Sequence, residues 1–388
     1  MIRRTMASKL RQMARGFPVI FLTGPRQSGK TTLVQSVFPN HRYVSLENLD
    51  SRQRIQEDPR GFLEGLEKGV ILDEVQRVPE LFSYLQTAAD ASETNGKFIL
   101  TGSQNFLLME KITQSLAGRA GVLHLLPFAL EELFPKTPPG EPFERFLFKG
   151  LYPPLYDRKV SPEDWYGSYL ATYLERDVRQ MKQVGDLGAF QKFMRLCAGR
   201  CGHLLNLSSL GNECGVSHST AKSWLSVLQA SFIVFLLEPY YRNFNKRVVK
   251  QPKLYFYDPG LACALLGVSH ESQLKTHYMR GALFETLIVS ELIKRAVHRG
   301  KRPQGYFWRD HRGNEVDYVE ETPRGLVPME IKAGATVTED SFQGLQYFHE
   351  IVHPAPEASY LIYGGREIQQ RRYGKAIPWR EMKQMQIG

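Results

Sequence analysis

Cysteine is scarce in this sequence, and long hydrophobic runs are missing from it. Four cysteines in 388 residues are too few for a disulfide-stabilised scaffold of this length. No stretch approaches the roughly 20 consecutive apolar residues of a membrane-spanning helix. The start of the chain, MIRRTMASKLRQMARGF, lacks the apolar core of a secretory signal. We therefore expect a cytoplasmic protein that has no membrane partner.

The overall composition is that of a folded protein with an excess of positive charge. Hydrophobic residues make up 42% of the chain and charged residues 23%, which is enough apolar material for a core. The 50 lysines and arginines outnumber the 40 acidic residues, and the isoelectric point is about 9.3. This balance suits a polyanion such as DNA, although an ordinary basic surface has the same composition.

Two changes in composition divide the chain into three predicted domains. A proline-rich segment occupies residues 135–142 (PKTPPGEP), and a polar segment occupies residues 269–277. Before the first segment, short apolar runs alternate with helix-like segments, which predicts a parallel sheet covered by helices. The middle reads as mostly helical and the last part as a small α/β unit. We therefore predict an α/β protein with domains at residues 1–135, 136–275 and 276–388.

The first predicted domain contains a complete phosphate-binding motif. It fits the pattern G-x-x-x-x-G-K-[ST], after an apolar run and at the start of a helix-like segment. The predicted nucleotide contacts are Gly24, Pro25, Arg26, Gln27, Ser28, Gly29, Lys30, Thr31 and Thr32. Glycines let the backbone turn its N–H groups toward the phosphates, and the helix N-terminus adds partial positive charge. Lys30 would contact the β- and γ-phosphates of ATP, and the Thr31 hydroxyl would bind Mg²⁺.

An acidic pair follows the next apolar run, and it supplies what hydrolysis needs beyond binding. Asp73 and Glu74 come directly after residues 70–72. Asp73 would hold Mg²⁺ through water, and Glu74 would act as the catalytic residue that orients or deprotonates the attacking water. An acidic pair at the end of a strand is common by itself, but together with the phosphate-binding motif it indicates an ATPase.

Two further residues are candidates for contacts with the γ-phosphate. Ser103 follows the apolar run 98–100, where a polar sensor of the phosphate would lie, although an ordinary polar turn has the same residues. Arg119, in the segment LAGRAG, could stabilise the charge of the transition state. It would act in its own subunit or in the neighbouring subunit of a ring, and a plain surface arginine is the alternative.

Six segments occur in an order that resembles a known family: GPRQSGKTTL, VILDEVQRVPEL, FILTGSQ, LAGRAG, YLERDV and KLYFYDPGLA. The chain resembles prokaryotic AAA-type ATP-binding proteins whose C-terminal half has long been catalogued as a domain of unknown function. The resemblance implies an AAA-like core, a winged-helix-like middle and a nuclease-like end. Because AAA-type sites are commonly completed by a neighbour's arginine, it also implies a homo-oligomer, with a ring as one form.

The middle of the chain contains a candidate helix-turn-helix at residues 207–225. Ser217 is suited to cap the second helix. The apolar run 232–237 and residues 240–243 would form the strands of a wing. If the element binds DNA, the second helix would present His218, Ser219, Lys222 and Ser223, and phosphates would be contacted by Arg242, Lys246, Arg247 and Lys250. A packing lid without DNA contact is the alternative.

Cysteines and histidines between residues 197 and 218 raise the question of a zinc site. Their spacing matches none of the usual ligand pairs. Buried thiols are the preferred interpretation.

The last part of the chain carries carboxylates in a pattern typical of metal-dependent nucleases. Glu285 lies in a predicted helix, and Asp317 and Glu330 lie on two successive predicted strands. Because side chains alternate along a strand, Lys332 shares a face with Glu330, as Glu315 does with Asp317. The constellation resembles PD-(D/E)xK nucleases, which implies Glu285, Asp317 and Glu330 as Mg²⁺ ligands and Lys332 as the catalytic lysine.

This sequence departs from the nuclease signature at Val316, where a proline is expected. A strand hairpin with ordinary salt bridges is the alternative. Gln343 or Gln346 in the following predicted helix would be an accessory residue of the site.

Two functions fit these features. The first is a Mg²⁺-dependent ATPase that acts on DNA in repair or recombination, by remodelling, translocation or branch migration, with branched or junction DNA as a candidate substrate and cleavage as a candidate second activity. The second is a regulatory NTPase switch that controls a protein or DNA-binding module and carries an inactive nuclease-like scaffold. Stimulation of ATP hydrolysis by DNA would separate them.

Overall fold

The computed structural model describes residues 2–92, 94–103, 115–135, 140–173, 184–241, 249–352 and 358–385. The chain forms two compact units. The first contains Met1–Phe128, Ala230–Phe232 and Lys294–Arg302, and the second contains Ala129–Gln229, Ile233–Ile293 and Pro303–Gly388. Most of the predicted second and third domains thus lies in one compact unit, and the limits at residues 135 and 275 stay predictions.

The first unit is built on a five-stranded parallel sheet. Its strands are β1 (Val19–Thr23), β2 (Arg42–Ser45), β3 (Val70–Asp73), β4 (Phe98–Gly102) and β5 (Ala120–His124). They lie in the order β2-β3-β4-β1-β5, and each neighbouring pair is parallel. The helices of this part are α1 (Met6–Ala14), α2 (Lys30–Val37), α3 (Leu49–Glu57), α4 (Pro59–Glu64) and α5 (Leu81–Asp90). The predicted α/β class with a parallel sheet is confirmed.

The parallel sheet is buried on both of its faces, as is usual for sheets of this kind. Every residue of β1 is buried. Successive side chains of a strand point to opposite faces, so Val19 and Phe21 pack into one hydrophobic cluster while Ile20 and Leu22 pack into another. Because all five strands run in the same direction, their carboxyl ends meet at one edge of the sheet, where ligands bind in folds of this kind.

The second unit begins with helices and a two-stranded sheet. The helices from here to the end of the chain are α6 (Leu130–Leu133), α7 (Phe143–Lys149), α8 (Pro154–Asp157), α9 (Pro162–Tyr173), α10 (Leu187–Ala198), α11 (Leu207–Cys214), α12 (His218–Ala230), α13 (Pro259–Leu265), α14 (Arg280–Val297) and α15 (Gln343–Ile351). The strands β6 (Val234–Leu237) and β7 (Lys253–Phe256) pair in antiparallel fashion.

A six-stranded mixed sheet forms the rest of the second unit. Its strands are β8 (Gly305–Arg309), β9 (Glu315–Thr322), β10 (Gly325–Lys332), β11 (Tyr360–Tyr363), β12 (Gln369–Arg371) and β13 (Gly374–Pro378). The order is β12-β13-β11-β10-β9-β8. The strands β8, β9 and β10 form an antiparallel meander, whereas β10, β11 and β13 are parallel. Helix α15 packs against β9 and β10.

The pairing of two strand segments in the second unit sets its local structure. Strands β8 and β9 are separated by a turn, because the Asp310 carboxylate accepts hydrogen bonds from the amides of Arg312 and Asn314. The partner of β6 is β7. The Tyr240 amide donates to the Phe307 carbonyl at 2.8 Å, which places that residue beside β8.

Within the described ranges, no helix is long and apolar enough to cross a membrane.

Candidate functional site

The phosphate-binding loop connects β1 to α2, and two glycines determine its path. Gly24 has a φ of +151°, and a Cβ at this position would overlap the Leu125 carbonyl group. Gly29 has a φ of +89° in the left-handed region and caps α2. Only glycine adopts such angles without strain. Pro25, Arg26, Gln27 and Ser28 lie between these glycines, and Thr32 lies in the first turn of α2.

Lys30 folds back over this loop. Its Nζ donates hydrogen bonds to the carbonyl oxygens of Gly24 at 3.1 Å and of Pro25 at 2.8 Å, and the residue is only 6% exposed. Phosphate oxygens would compete with these two carbonyls for the ammonium. The loop, the lysine and the N-terminus of an eight-residue helix therefore form a cradle suited to a triphosphate.

Thr31 and Asp73 meet at the carboxyl end of the sheet. The Thr31 hydroxyl donates to both carboxylate oxygens of Asp73, at 3.1 and 3.0 Å. Asp73 also accepts hydrogen bonds from the hydroxyls of Tyr43 (2.8 Å) and Thr101. A hydroxyl and a nearly buried carboxylate fit a Mg²⁺ ion that arrives with the nucleotide, with Thr31 as direct ligand and Asp73 acting through water.

Sequence reasoning missed Tyr43 and Thr101 as partners of Asp73. Burial raises the pKa of Tyr43 to about 12, and the hydrogen bond to the charged Asp73 contributes to the rise. The phenol therefore remains a hydrogen-bond donor at neutral pH. Thr101 lies on β4, beside β3, so its contact follows from strand order, which no local motif reveals.

Glu74 adopts a strained backbone conformation next to this site. Its φ of 58° and ψ of 49° are left-handed, which costs a residue other than glycine about 1–2 kcal/mol. Its carboxylate accepts a hydrogen bond of 2.5 Å from the Gln76 amide group, which also donates to the Ser103 hydroxyl at 3.1 Å. The predicted base and the predicted sensor are thus linked through Gln76, a residue that the sequence reasoning did not single out.

Arg119 does not lie near the phosphate-binding loop of its own chain. Its carbonyl accepts a hydrogen bond from the Val19 amide, at the start of β1. The loop begins after the other end of β1, roughly 16 Å away at ~3.3 Å per residue. The Arg119 guanidinium pairs with Asp90 instead. This geometry does not place Arg119 at the phosphate-binding loop of its own subunit, and its role in its own or a neighbouring subunit stays a prediction.

The candidate helix-turn-helix consists of α11, a turn at Gly215 and α12. Gly215 has a φ of +73° and ends α11, and the Ser217 hydroxyl accepts a hydrogen bond from the Thr220 amide at 3.1 Å, which confirms Ser217 as the cap of α12. One face of α12 buries Ala221, Trp224, Leu225, Val227 and Leu228. His218, Ser219 and Lys222 are exposed on the other face. Arg242, Lys246 and Arg247 lie outside the described residues.

The structure brings together the four acidic residues that the sequence singled out near the C-terminus. We call Glu285, Glu315, Asp317 and Glu330 the carboxylate cluster. Glu285 comes from α14, Glu315 and Asp317 from β9, and Glu330 from β10. Lys332 joins it: its Nζ lies 2.6 Å from Glu330 Oε2 and 3.4 Å from Asp317 Oδ2. Burial raises the pKa of Glu330 well above its usual value, and the charge of Asp317 adds to the rise.

Lys253 of β7, which sequence reasoning missed, extends into the carboxylate cluster. Its Nζ lies 3.0 Å from Glu285 Oε1, 2.5 Å from Glu315 Oε1 and 3.9 Å from Asp317 Oδ1, and the residue is 2% exposed. Burial acts to lower the pKa of this ammonium, but Tyr255 and the surrounding carboxylates raise it well above its usual value. Tyr255 lies two residues further along β7, and its hydroxyl donates a hydrogen bond to Glu285 at 2.5 Å.

These contacts do not fit the metal-ligand role predicted for Glu285, Asp317 and Glu330. Among the residues that the structure describes, no group of three or more histidines, cysteines, aspartates or glutamates is arranged to hold a metal ion. A lysine ammonium lies between the carboxylates instead. The predicted accessory residues are also elsewhere, because Gln343 and Gln346 are exposed and donate to Asp340 and Glu350.

Gly344 of α15 allows this helix to lie directly against the carboxylate cluster. A Cβ at this position would overlap Glu330 Oε1 and the Glu315 carbonyl oxygen. We expect Gly344→Ala to lower the free energy of unfolding by about 1–3 kcal/mol, as overpacking of a filled site does. Gly281 is the matched control, because it is also the second residue of its helix and has open space around it. Chemical denaturation of both variants measures the difference; equal stabilities would contradict the close packing.

Comparison with known proteins agrees with the geometry of the first unit. Residues 16–134 match the family described as AAA domain. Residues 140–272 and 280–382 match two families that are each described as a domain of unknown function, DUF8612 and DUF4143. Uncharacterised proteins of Mycobacterium tuberculosis and Mycobacterium bovis are each 29% identical over 338 residues, which is 86% of this chain and 74% of theirs.

Two solved structures are similar to this chain at low TM-scores and low identity. A Walker-type ATPase of Pyrococcus abyssi overlaps 68% of this chain and 96% of its own, with a TM-score of 0.47 and 17% identity. RuvB of Thermotoga maritima overlaps 59% of this chain and 88% of its own, with a TM-score of 0.28 and 17% identity. The AAA match covers the segment in which the loop, the lysine, the threonine and the acidic pair meet at one sheet edge, so the first unit is similar to AAA domains.

Proposed function

We propose that this protein is a Mg²⁺-dependent ATPase that acts on DNA. The observation that carries the ATPase part is the meeting of Lys30, Thr31 and Asp73 at the carboxyl end of the parallel sheet. Bound Mg²⁺ would neutralise charge on the β- and γ-phosphates. Lys30 would exchange its loop carbonyls for phosphate oxygens, and Asp73 would keep the Thr31 hydroxyl in position.

Glu74 would orient and deprotonate the attacking water in this proposal. A carboxylate suits this role because it accepts a proton from water within hydrogen-bond reach. Its left-handed backbone supports the assignment, since strain of this kind is retained where a side chain must be placed for function. Gln76, which also donates to the Ser103 hydroxyl, holds the carboxylate in its present orientation, so that its reorientation on nucleotide binding would start hydrolysis.

The DNA part of the proposal rests on α12 and on charge. His218, Ser219 and Lys222 are exposed at the N-terminal end of α12, where a recognition helix contacts the major groove. The chain carries a formal charge of +10, and positive charge favours phosphate contacts. Remodelling, translocation and branch migration are the motions that ATP hydrolysis would drive on such a substrate, in repair or recombination.

A homo-oligomer also belongs to this proposal. Arg119 is too far from its own phosphate-binding loop to contact a nucleotide there, but it is 35% exposed at its side chain and could serve the site of a neighbouring copy. A ring of subunits would allow every site to be completed in this way.

The second candidate function is a regulatory NTPase switch, and the carboxylate cluster favours it. Lys253 and Lys332 pair with the acids that a nuclease would use for metal binding. A scaffold without cleavage fits a switch in which ATP controls DNA or protein binding. Slow ATP hydrolysis that no DNA alters would be its signature.

Exchange of Lys222 tests the DNA part directly. We expect Lys222→Ala to weaken binding of labelled duplex and junction DNA by roughly tenfold at low salt, and to reduce the slope of log Kd against log salt by about one, because a single phosphate contact is lost. Fluorescence anisotropy at several salt concentrations measures both quantities. Lys275→Ala is the control, since this exposed lysine lies in the helical turn Glu271–Lys275, away from α12 in the sequence. Equal losses in the two variants would contradict a role of α12.

A further inference from the structure

The carboxylate cluster contains a positive charge supplied by the chain itself. We propose that Lys253 takes the place of a metal ion in the cluster, and that the nuclease-like sheet is a metal-free ion-pair site that does not cleave phosphodiesters. The inference concerns only the second unit and stands whether or not ATP hydrolysis is coupled to DNA.

The position of the ammonium is the first argument. Lys253 Nζ lies within 4 Å of oxygens from Glu285 on helix α14 and from Glu315 and Asp317 on strand β9. A Mg²⁺ ion would need oxygens of these acids at ~2.1 Å. It could reach that position only if the ammonium left it. At 2% exposure, Lys253 is buried, and its ammonium pairs with two of these acids.

The remaining contacts of the acids are the second argument, because each acid already has another partner. Glu285 accepts from the Tyr255 hydroxyl, and Glu315 Oε2 lies 2.8 Å from the Arg309 guanidinium. Asp317 Oδ2 accepts from the Ile331 amide at 2.8 Å and is 3.4 Å from Lys332. Mg²⁺ dehydrates reluctantly and usually keeps several water ligands beside one or two carboxylates. Oxygens of these acids that could bind a metal ion or its water ligands accept hydrogen bonds from protein groups or form ion pairs with them instead.

Packing around Glu330 is the third argument. Its Oε2 contacts Lys332 at 2.6 Å, while Gly344 of α15 lies so close to its Oε1 that no side chain fits there. The residue is 4% exposed. The acid that the nuclease pattern would offer to a metal is thus enclosed by a helix and a lysine.

Lys253 also connects β7 to the elements that carry the acids. It comes from β7, which belongs to the two-stranded sheet after the helix-turn-helix, whereas its acid partners belong to α14 and β9. Buried ion pairs of this kind are strongly destabilising when one partner is removed, because the other charge remains buried. The site would therefore fix β7 to the C-terminal sheet.

Exchange of the lysine for methionine tests the replacement. Methionine keeps the length of the side chain and removes its charge. We expect nucleotide-free wild-type protein to bind no Mn²⁺ at this site by electron paramagnetic resonance, and Lys253→Met to bind one Mn²⁺ that is lost again in Lys253→Met/Asp317→Asn. In thermal denaturation, Lys253→Met should lower Tm by roughly 5–15 °C, and millimolar Mn²⁺ should restore part of this loss. Lys275→Met is the matched control and should show neither effect.

If Lys253→Met does not fold, the wild-type protein and the Asp317→Asn variant decide the question. Mn²⁺ binding by nucleotide-free wild type that disappears in Asp317→Asn would overturn the proposal, as would Mg²⁺-dependent nicking of plasmid DNA that Asp317→Asn abolishes. Absence of both supports it. A folded Lys253→Met variant that binds no Mn²⁺ and gains no stability from it would show that Lys253 does not stand in for a metal.

Discussion

Glu74→Gln should lower kcat for ATP hydrolysis by roughly 10²–10⁴-fold, the contribution of a positioned general base. Glutamine has nearly the same shape as glutamate but cannot accept the proton of the attacking water. Its amide can still bond with Gln76, so the turn after β3 should keep its fold. The Kd for ATP should change by no more than about threefold, because the role assigned to Glu74 is exercised only in the transition state.

Phosphate release at saturating ATP and equilibrium binding of a fluorescent ATP analogue measure these two quantities. Glu80→Gln is the control for the loss of one carboxylate, since Glu80 precedes α5 and has an ordinary right-handed backbone. Hydrolysis by Glu74→Gln at the wild-type rate would show that another group activates the water.

Lys30→Ala should weaken ATP binding by roughly 100-fold. The ammonium would make charge-assisted hydrogen bonds to the β- and γ-phosphates, each worth about 1.5–3 kcal/mol. Removal of the buried ammonium also removes the hydrogen bonds that Lys30 donates to the carbonyls of Gly24 and Pro25. Hydrolysis should therefore fall through both binding and catalysis, in contrast to the loss of kcat alone in Glu74→Gln.

Isothermal titration of ATP into Lys30→Ala, with Lys68→Ala as an exposed-lysine control, measures the change in affinity. Circular dichroism of the nucleotide-free variant checks that the fold is intact. An unchanged Kd for ATP in a folded Lys30→Ala variant would place the nucleotide elsewhere on the molecule.

The sequence predicts the nucleotide half well because its signals are local. The loop 24–31 is one continuous segment between a strand and a helix, and its glycines Gly24 and Gly29 have positive φ angles. Asp73 and Glu74 follow a fully apolar strand, so their place at the sheet edge follows from the parallel order. The roles assigned to these residues stay predictions until they are measured.

Residues that act across distant segments could not be predicted in the same way. Lys253 lies 32 residues before Glu285, in the run KLYFYDPG, where no motif singles it out. Because side chains alternate along a strand, Lys253 and Tyr255 lie on the same face of β7, and both contact Glu285. Tyr43 meets Asp73 only because β2 lies beside β3. Arg119 looked suitable in sequence, but the register of β5 with β1 places it at the wrong end of the sheet for its own site.

Steady-state ATP hydrolysis with and without DNA tests the central claim most directly. Phosphate release would be measured with Mg²⁺ and ATP alone and then with single-stranded, duplex and four-way-junction DNA, with Glu74→Gln as the inactive reference. The proposal predicts that wild-type protein hydrolyses ATP and that at least one DNA form stimulates it several-fold. A wild-type rate that is identical with and without every DNA form would contradict a DNA-directed ATPase and favour the regulatory switch.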